Sequence, residues 1–129
     1  TARLEAIELP YIRRILVRML EGEGCCLTKP RVCVVEVPLL DRIESMLNLA
    51  DEVLVVDCPL EVRRVRAHGR GMDVADFDRR AALQPSDEYL REHATALLDN
   101  SGGPSELAEQ VDAWWSAHEA AGWRGACNG

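Results

Sequence analysis

The run Glu52-Val53-Leu54-Val55-Val56-Asp57 is apolar, rich in β-branched residues and closed by an acid. Pro59 follows, where it suits the first turn of a helix. A strand with no polar alternation is one that is covered on both faces, which points to a parallel sheet between helices. A second such run, Val32-Cys33-Val34-Val35-Glu36-Val37, is stopped by Pro38, and a weaker one lies at Ala96-Leu97-Leu98. The expected fold is therefore α/β with three strands, 32–37, 52–57 and 96–98. The first two should run parallel in one sheet, because the connection between them is long enough to cross over. Open edges on so small a sheet suggest that part of it is missing from this chain, and make self-association an expectation.

Between the strands the periodicity turns helical. Leu4, Ile7, Tyr11, Ile12, Ile15, Leu16, Met19 and Leu20 recur on one helical face, and Pro10 is expected to divide that helix into pieces 2–8 and 10–21. Gly22 to Pro30 reads as a connection, and Leu39 to Asn48 as helical or irregular. A helix is expected from Pro59 to about His68, with Asp57 or Cys58 supplying its cap. Asp73 and Asp76 resemble a capping arrangement for a helix from 74 to about 83. A short helix follows over 87–94. Asn100-Ser101-Gly102-Gly103 makes a turn, and Pro104 opens a last helix carrying Leu107, Val111, Trp114, Trp115 and His118. The expected organisation is one partial domain over 1–121, an arginine-bearing lid at about 63–95, and a loose tail over 122–129.

A net charge of −7 opposes general nucleic-acid binding, which needs a basic footprint. The charge is unevenly spread. Residues 63 to 80 hold six arginines (Arg63, Arg64, Arg66, Arg70, Arg79, Arg80) against Asp73, Asp76 and Asp78. Fourteen of the fifteen basic residues are arginine, whose fork matches phosphate better than lysine does. The five cysteines form no C-x-x-C pair and read as free thiols, and the three histidines cluster with no other ligand type, so no metal site is expected. No signal peptide or membrane-length apolar run is visible, which leads to the expectation of a cytoplasmic protein with no membrane partner.

Arg66 and Arg70 are four apart and share a helix face, while Arg79 and Arg80 lie beyond the segment from Gly71 to Asp76. Helix, glycine-containing turn and helix, with arginines on both arms, make a lid that can close over phosphates and exclude water. The plainer reading is a solvated face of ion pairs to the three aspartates. Glu36 is expected either to face a crevice or to pair with an arginine. Trp114 and Trp115 read as packing, and His68 and His118 as surface residues.

The order of these pieces resembles dephospho-CoA kinase, a small P-loop kinase family. The matching elements are Leu4 to Pro10, Val32 to Leu40, Val55-Val56-Asp57 with Pro59, Arg66 with Arg70, Arg80 to Gln84, and Asp99-Asn100-Ser101-Gly102. The resemblance implies a three-layer parallel sheet of the P-loop nucleoside-monophosphate-kinase type, here incomplete. The chain contains no G-x-x-x-x-G-K-[ST] loop, and its single lysine, Lys29, has no glycines at that spacing. The chain also opens within a helical pattern without methionine, so it reads as a piece of a longer protein, inactive alone.

By resemblance, the activity is phosphorylation of the ribose 3′-hydroxyl of dephospho-CoA by ATP, with Mg²⁺ held mainly by residues outside this chain. The implied catalytic and phosphate-binding residues are Arg66 and Arg70, and Asn100, Ser101 and Gly102 form the loop near the adenine. Pro10, Arg13, Arg14, Pro38, Leu39 and Leu40 line the dephospho-CoA side. Leu9, Arg42 and Thr95 stand where the family has a histidine and two acids. The alternatives are a kinase of another nucleotide or small metabolite, or a non-catalytic partner-binding domain.

Overall fold

The computed structural model describes residues 2–21 and 32–122. In chain order these form α1 (Ala2–Leu20), a 3₁₀ helix (Leu40–Leu49), β1 (Leu54–Asp57), α2 (Leu60–Gly69), α3 (Val74–Ala81), α4 (Asp87–His93), β2 (Ala96–Asp99) and α5 (Pro104–Ala120). The expected features at Gly22 to Pro30, and the tail beyond Gly122, lie outside the described residues, as do Lys29, Cys25, Cys26 and Cys127.

β1 and β2 pair in parallel, Leu54 opposite Ala96 through Asp57 opposite Asp99. Among the described residues the sheet has these two strands alone. The parallel α/β expectation holds for them, and the expected strand at 32–37 does not form. That run carries no ladder, and Val34 is 88% exposed. A β-branched run becomes a strand only where a neighbouring backbone receives its N–H and C=O groups, and none of the described segments lies alongside it to do so.

The remaining elements follow local chemistry. α1 continues through Pro10 instead of dividing there. Pro10 is exposed, so the carbonyl it leaves without a donor can turn to water, and the helix survives. The 3₁₀ helix is kinked at Ile43. Asp73 caps α3 as expected, its carboxylate accepting from the Ala75 and Asp76 N–H groups at 3.0 and 3.2 Å. At the end of α2, Met72 N–H donates to Ala67 O and Gly71 N–H to His68 O, a Schellman closure. Gly71 sits at φ +89°, a conformation that a residue with a Cβ rarely adopts.

The core is small. Leu40, Met46, Val55, Cys58, Ala67 and Leu98 are its buried side chains. α5 packs on β2, α4 on β1, α2 on α3, and α1 against the 3₁₀ helix. The apolar stripe of α1 stays largely open, with Ile7 and Tyr11 both more than half exposed.

Candidate functional site: an arginine-lined pocket at the strand ends

β1 and β2 both end at a pocket of about 300 Å³, lined by Val56, Cys58, Arg63, Arg66, Arg70, Phe77 and Asn100. The carboxyl ends of parallel strands are where open α/β sheets bind ligands, because the connections diverge there. α2 and its cap supply the charge: Arg63 and Arg66 of α2 are three apart, Arg70 follows four further on as the capping residue, and all three line the pocket.

The three are not equivalent. The Arg63 Nη2 donates to Asp87 Oδ1 on α4 at 3.1 Å, while its Nε is buried with no partner among the described residues. Arg66 donates to three successive backbone carbonyls: Asn100, Ser101 at 3.3 Å and Gly102 at 2.6 Å. No described residue accepts a hydrogen bond from the Arg70 side chain, so Arg70 is the guanidinium in the pocket that is open to a ligand.

The other arginines of the cluster belong to a solvated face. Arg64 pairs with Asp78 at 2.7 Å and with Glu61 at 2.9 Å. Arg79 and Arg80 both pair with Asp76, whose carboxyl is held below its usual range first by the Arg79 hydrogen bond and then by Arg80. Arg79 and Arg80 are thus tied to their own helix by pairs three and four residues apart. Arg63 was not among the expected site residues, though its spacing to Arg66 and Arg70 carried the signal.

The loop after β2 is built by its own side chains. The Asp99 carboxylate accepts from Ser101 Oγ at 2.9 Å and from Ser101 N–H at 2.8 Å. These two bonds, with the Arg66 charge behind them, hold the Asp99 carboxyl below its usual range. Glu106, at the third position of α5, reaches back to Gly103 N–H at 3.1 Å. A Cβ on Gly102 would lie 1.5 Å from the Glu106 carboxylate, so this position is kept for glycine by the cap. Asn100 lines the pocket, and its side chain makes no hydrogen bond to a described residue.

Asp57, expected as a helix cap, instead accepts from Arg91 of α4, and Pro59 occupies the capping position without a side-chain bond. His118, expected at the surface, is a half-buried partner of Glu52, with Nε2 2.9 Å from Oε1 and its ring 4.3 Å from Trp114. Thr95 donates its hydroxyl to the same Glu52 and accepts from Val53 N–H at 2.9 Å. The expected substrate-side residues do not line the pocket. Arg13 of α1 donates to Ser45 O of the 3₁₀ helix at 3.2 Å, while Pro10, Arg14 and Pro38 are exposed and Leu39 is half-buried. Leu40 is a core residue, 8% exposed. Arg42 pairs with Glu5 of α1, Leu9 is half-buried, and Glu36 is exposed without an ion pair to a described residue. Among the described residues no group of three histidine, cysteine or carboxylate side chains could hold a metal ion, and no helix is long and apolar enough to cross a membrane.

Comparison with known proteins gives this geometry its setting. The family described as dephospho-CoA kinase matches residues 1–106. The chain is similar to the dephospho-CoA kinase of Deinococcus radiodurans, 43% identical over 115 residues, covering 87% of this chain and 53% of that protein. It is similar also to that of Corynebacterium jeikeium, 39% identical over 118 residues, covering 89% of this chain and 58% of that protein. The chain therefore spans little more than half the length of these curated relatives. On the family match and these identities, the chain belongs to the dephospho-CoA kinase family.

Proposed function

We propose that the protein carrying this chain transfers the γ-phosphoryl group of ATP to the ribose 3′-hydroxyl of dephospho-CoA. In this reading the chain supplies part of a three-layer P-loop kinase domain: the arginine face of the lid, over about 63–95, the loop that seats the adenine at Asn100 to Gly102, and an acceptor side along Pro10 to Arg14 and Pro38 to Leu40. One observation carries the proposal: the arginines of α2 and its cap meet the strand-end pocket, with Arg70 making no hydrogen bond to a described residue. An unpaired guanidinium beside a partly apolar wall suits a phosphate whose negative charge grows during transfer.

The pocket fits a nucleotide in chemistry as well as position. Guanidinium groups line it, and the free amide of Asn100 offers both a donor and an acceptor to a base edge. Among the described residues no group of three histidine, cysteine or carboxylate side chains could hold Mg²⁺ unaided. Of the acids that end the strands, Asp57 is engaged by Arg91 and Asp99 by Ser101. The reading accordingly leaves the metal to the phosphates and to residues outside this chain. With no lysine-bearing glycine loop in its sequence, the 129-residue chain by itself is expected to bind ATP poorly and to turn over no substrate.

A coupled assay with ATP, Mg²⁺ and dephospho-CoA tests the activity in the full protein, with phosphorus NMR locating the new ester. A product phosphorylated anywhere except the 3′-position, or no product at all, overturns the proposal. Micromolar affinity for Mg-ATP in the isolated chain, by calorimetry, would overturn its inactivity alone.

A further inference from the structure

We propose that Arg66 is a positioning residue that builds the base-seating loop, leaving Arg70 as the arginine that meets phosphate. Arg66 lies in the last turn of α2, Arg70 is the residue that caps its end, and both line the same pocket. An arginine pair at that spacing is naturally read as two equal phosphate clamps. The hydrogen bonds divide them.

The Arg66 fork faces the carbonyls of Asn100, Ser101 and Gly102, with Nη1 also 3.8 Å from Cys58 Sγ. Three neighbouring carbonyl dipoles directed at one point repel each other unless a cation sits among them. A planar guanidinium is the side chain whose several donors can serve all three at once. The N–H groups of the same loop are secured in other directions: Asn100 N–H donates to Asp57 O, Ser101 N–H to Asp99, and Gly103 N–H to Glu106. The loop backbone is thus held from both sides, while the side-chain amide of Asn100, a residue lining the pocket, makes no hydrogen bond to a described residue. Arg70, at the cap of α2, has none of these obligations to the described residues.

The consequence is mechanical as well as chemical. Arg66 ties the loop to α2, so the segment that seats the base and the helix that leads to Arg70 are joined through one side chain. This division of labour rests on the kinase reading of the pocket for its effect on catalysis, but the structural role of Arg66 stands apart from turnover.

The test therefore has two arms in the full protein. Hydrogen exchange followed by mass spectrometry should show the segment 96–103 exchanging at least about tenfold faster in Arg66→Ala, and unchanged in Arg70→Ala. Arg66→Lys, which keeps the charge but not the fork, should fall between and guards against a variant that misfolds. In steady-state kinetics Arg66→Ala should raise KM for ATP and narrow the preference for ATP over GTP by about tenfold, with a smaller loss in kcat. Arg70→Ala should lower kcat and leave the base preference intact. Equal exchange in wild type and both Arg66 variants overturns the proposal, as does an unchanged base preference. Absent turnover in the wild-type protein would overturn the kinase reading and leave the exchange arm to decide the role of Arg66.

Discussion

Asp57 Oδ2, at the end of β1, accepts from both Nε and Nη2 of Arg91, at 3.2 and 2.8 Å. The pair joins the sheet to α4 across 34 positions of sequence. Both partners are partly exposed, so the attraction is screened by solvent and its effect on stability is small. Asp57→Asn and Arg91→Ala should each lower the thermal midpoint slightly, and the double variant by less than the sum. Strict additivity in a double-mutant cycle would show that the two groups do not interact in solution.

Arg70→Ala in the full protein should slow phosphoryl transfer by about tenfold or more, because charge is removed where negative charge grows. The thermal midpoint should barely move, since Arg70 makes no hydrogen bond to a described residue. Stopped-flow kinetics beside a melting curve check both halves. Unchanged kinetics would return Arg70 to the solvated face that Arg64, Arg79 and Arg80 already form.

Leu98→Ala should destabilise the chain by about 2–5 kcal/mol, the usual cost of emptying a buried leucine site. With six buried apolar side chains in the described core, Leu98 at 5% exposure has few neighbours able to compensate. A urea titration measures this, and a shift well under 1 kcal/mol would contradict the observed core.

The Glu52–His118 pair should give stability a pH window. Hydrogen bonds from Thr95 and then His118 hold Glu52 below its ordinary 4.5. The bond to Glu52, with the Trp114 carbonyl second, holds His118 above its ordinary 6.5. The Glu52 contribution is present above pH 4.5 and lost as pH falls through the lowered value. The His118 contribution is present below pH 6.5 and lost as pH rises through the raised one. Their joint contribution is therefore fullest between those pH values. Subtracting the pH–stability profile of His118→Gln from that of wild type should leave a peak there, and a flat difference would dissolve the pair.

Gly102→Ala should act through Glu106. The new methyl group would displace the carboxylate that caps Gly103 N–H, so the variant should lose about as much stability as a lost helix cap, roughly 1 kcal/mol. In an Glu106→Ala background the same change should cost little. A full cost in both backgrounds would place the strain in the backbone instead.

What could be read from the sequence was whatever depends on near neighbours. β1, the Asp73 cap, α4 and the proline start of α5 each follow from residues within a turn or two. The run at 32–37 has the composition of a strand, but a strand is completed by another backbone, and composition cannot supply one. Local rules make Asp57 a helix cap, whereas its partner Arg91 is 34 residues away, further than any such rule reaches. The Glu52–His118 pair spans 66 residues and left no local signal. The arginine cluster lay between these cases. Its charge was plain, and helical spacing put Arg63, Arg66 and Arg70 on one face. Which of them was free depended on Asp87 and on the carbonyls after β2.

Gln110 of α5 turns its amide toward Asp99, accepting from its N–H and donating to its C=O, each at 2.8 Å. That is the pair of contacts another strand would make at this residue. The outer side of β2 is thereby plugged by a side chain at its carboxyl end, and an incoming strand would first have to evict Gln110. No described residue guards the far side of β1 in this way. Among the described residues the two borders of the sheet therefore differ: the carboxyl end of β2 has its outward backbone groups taken by Gln110, while the border at Leu54–Asp57 has no such side chain.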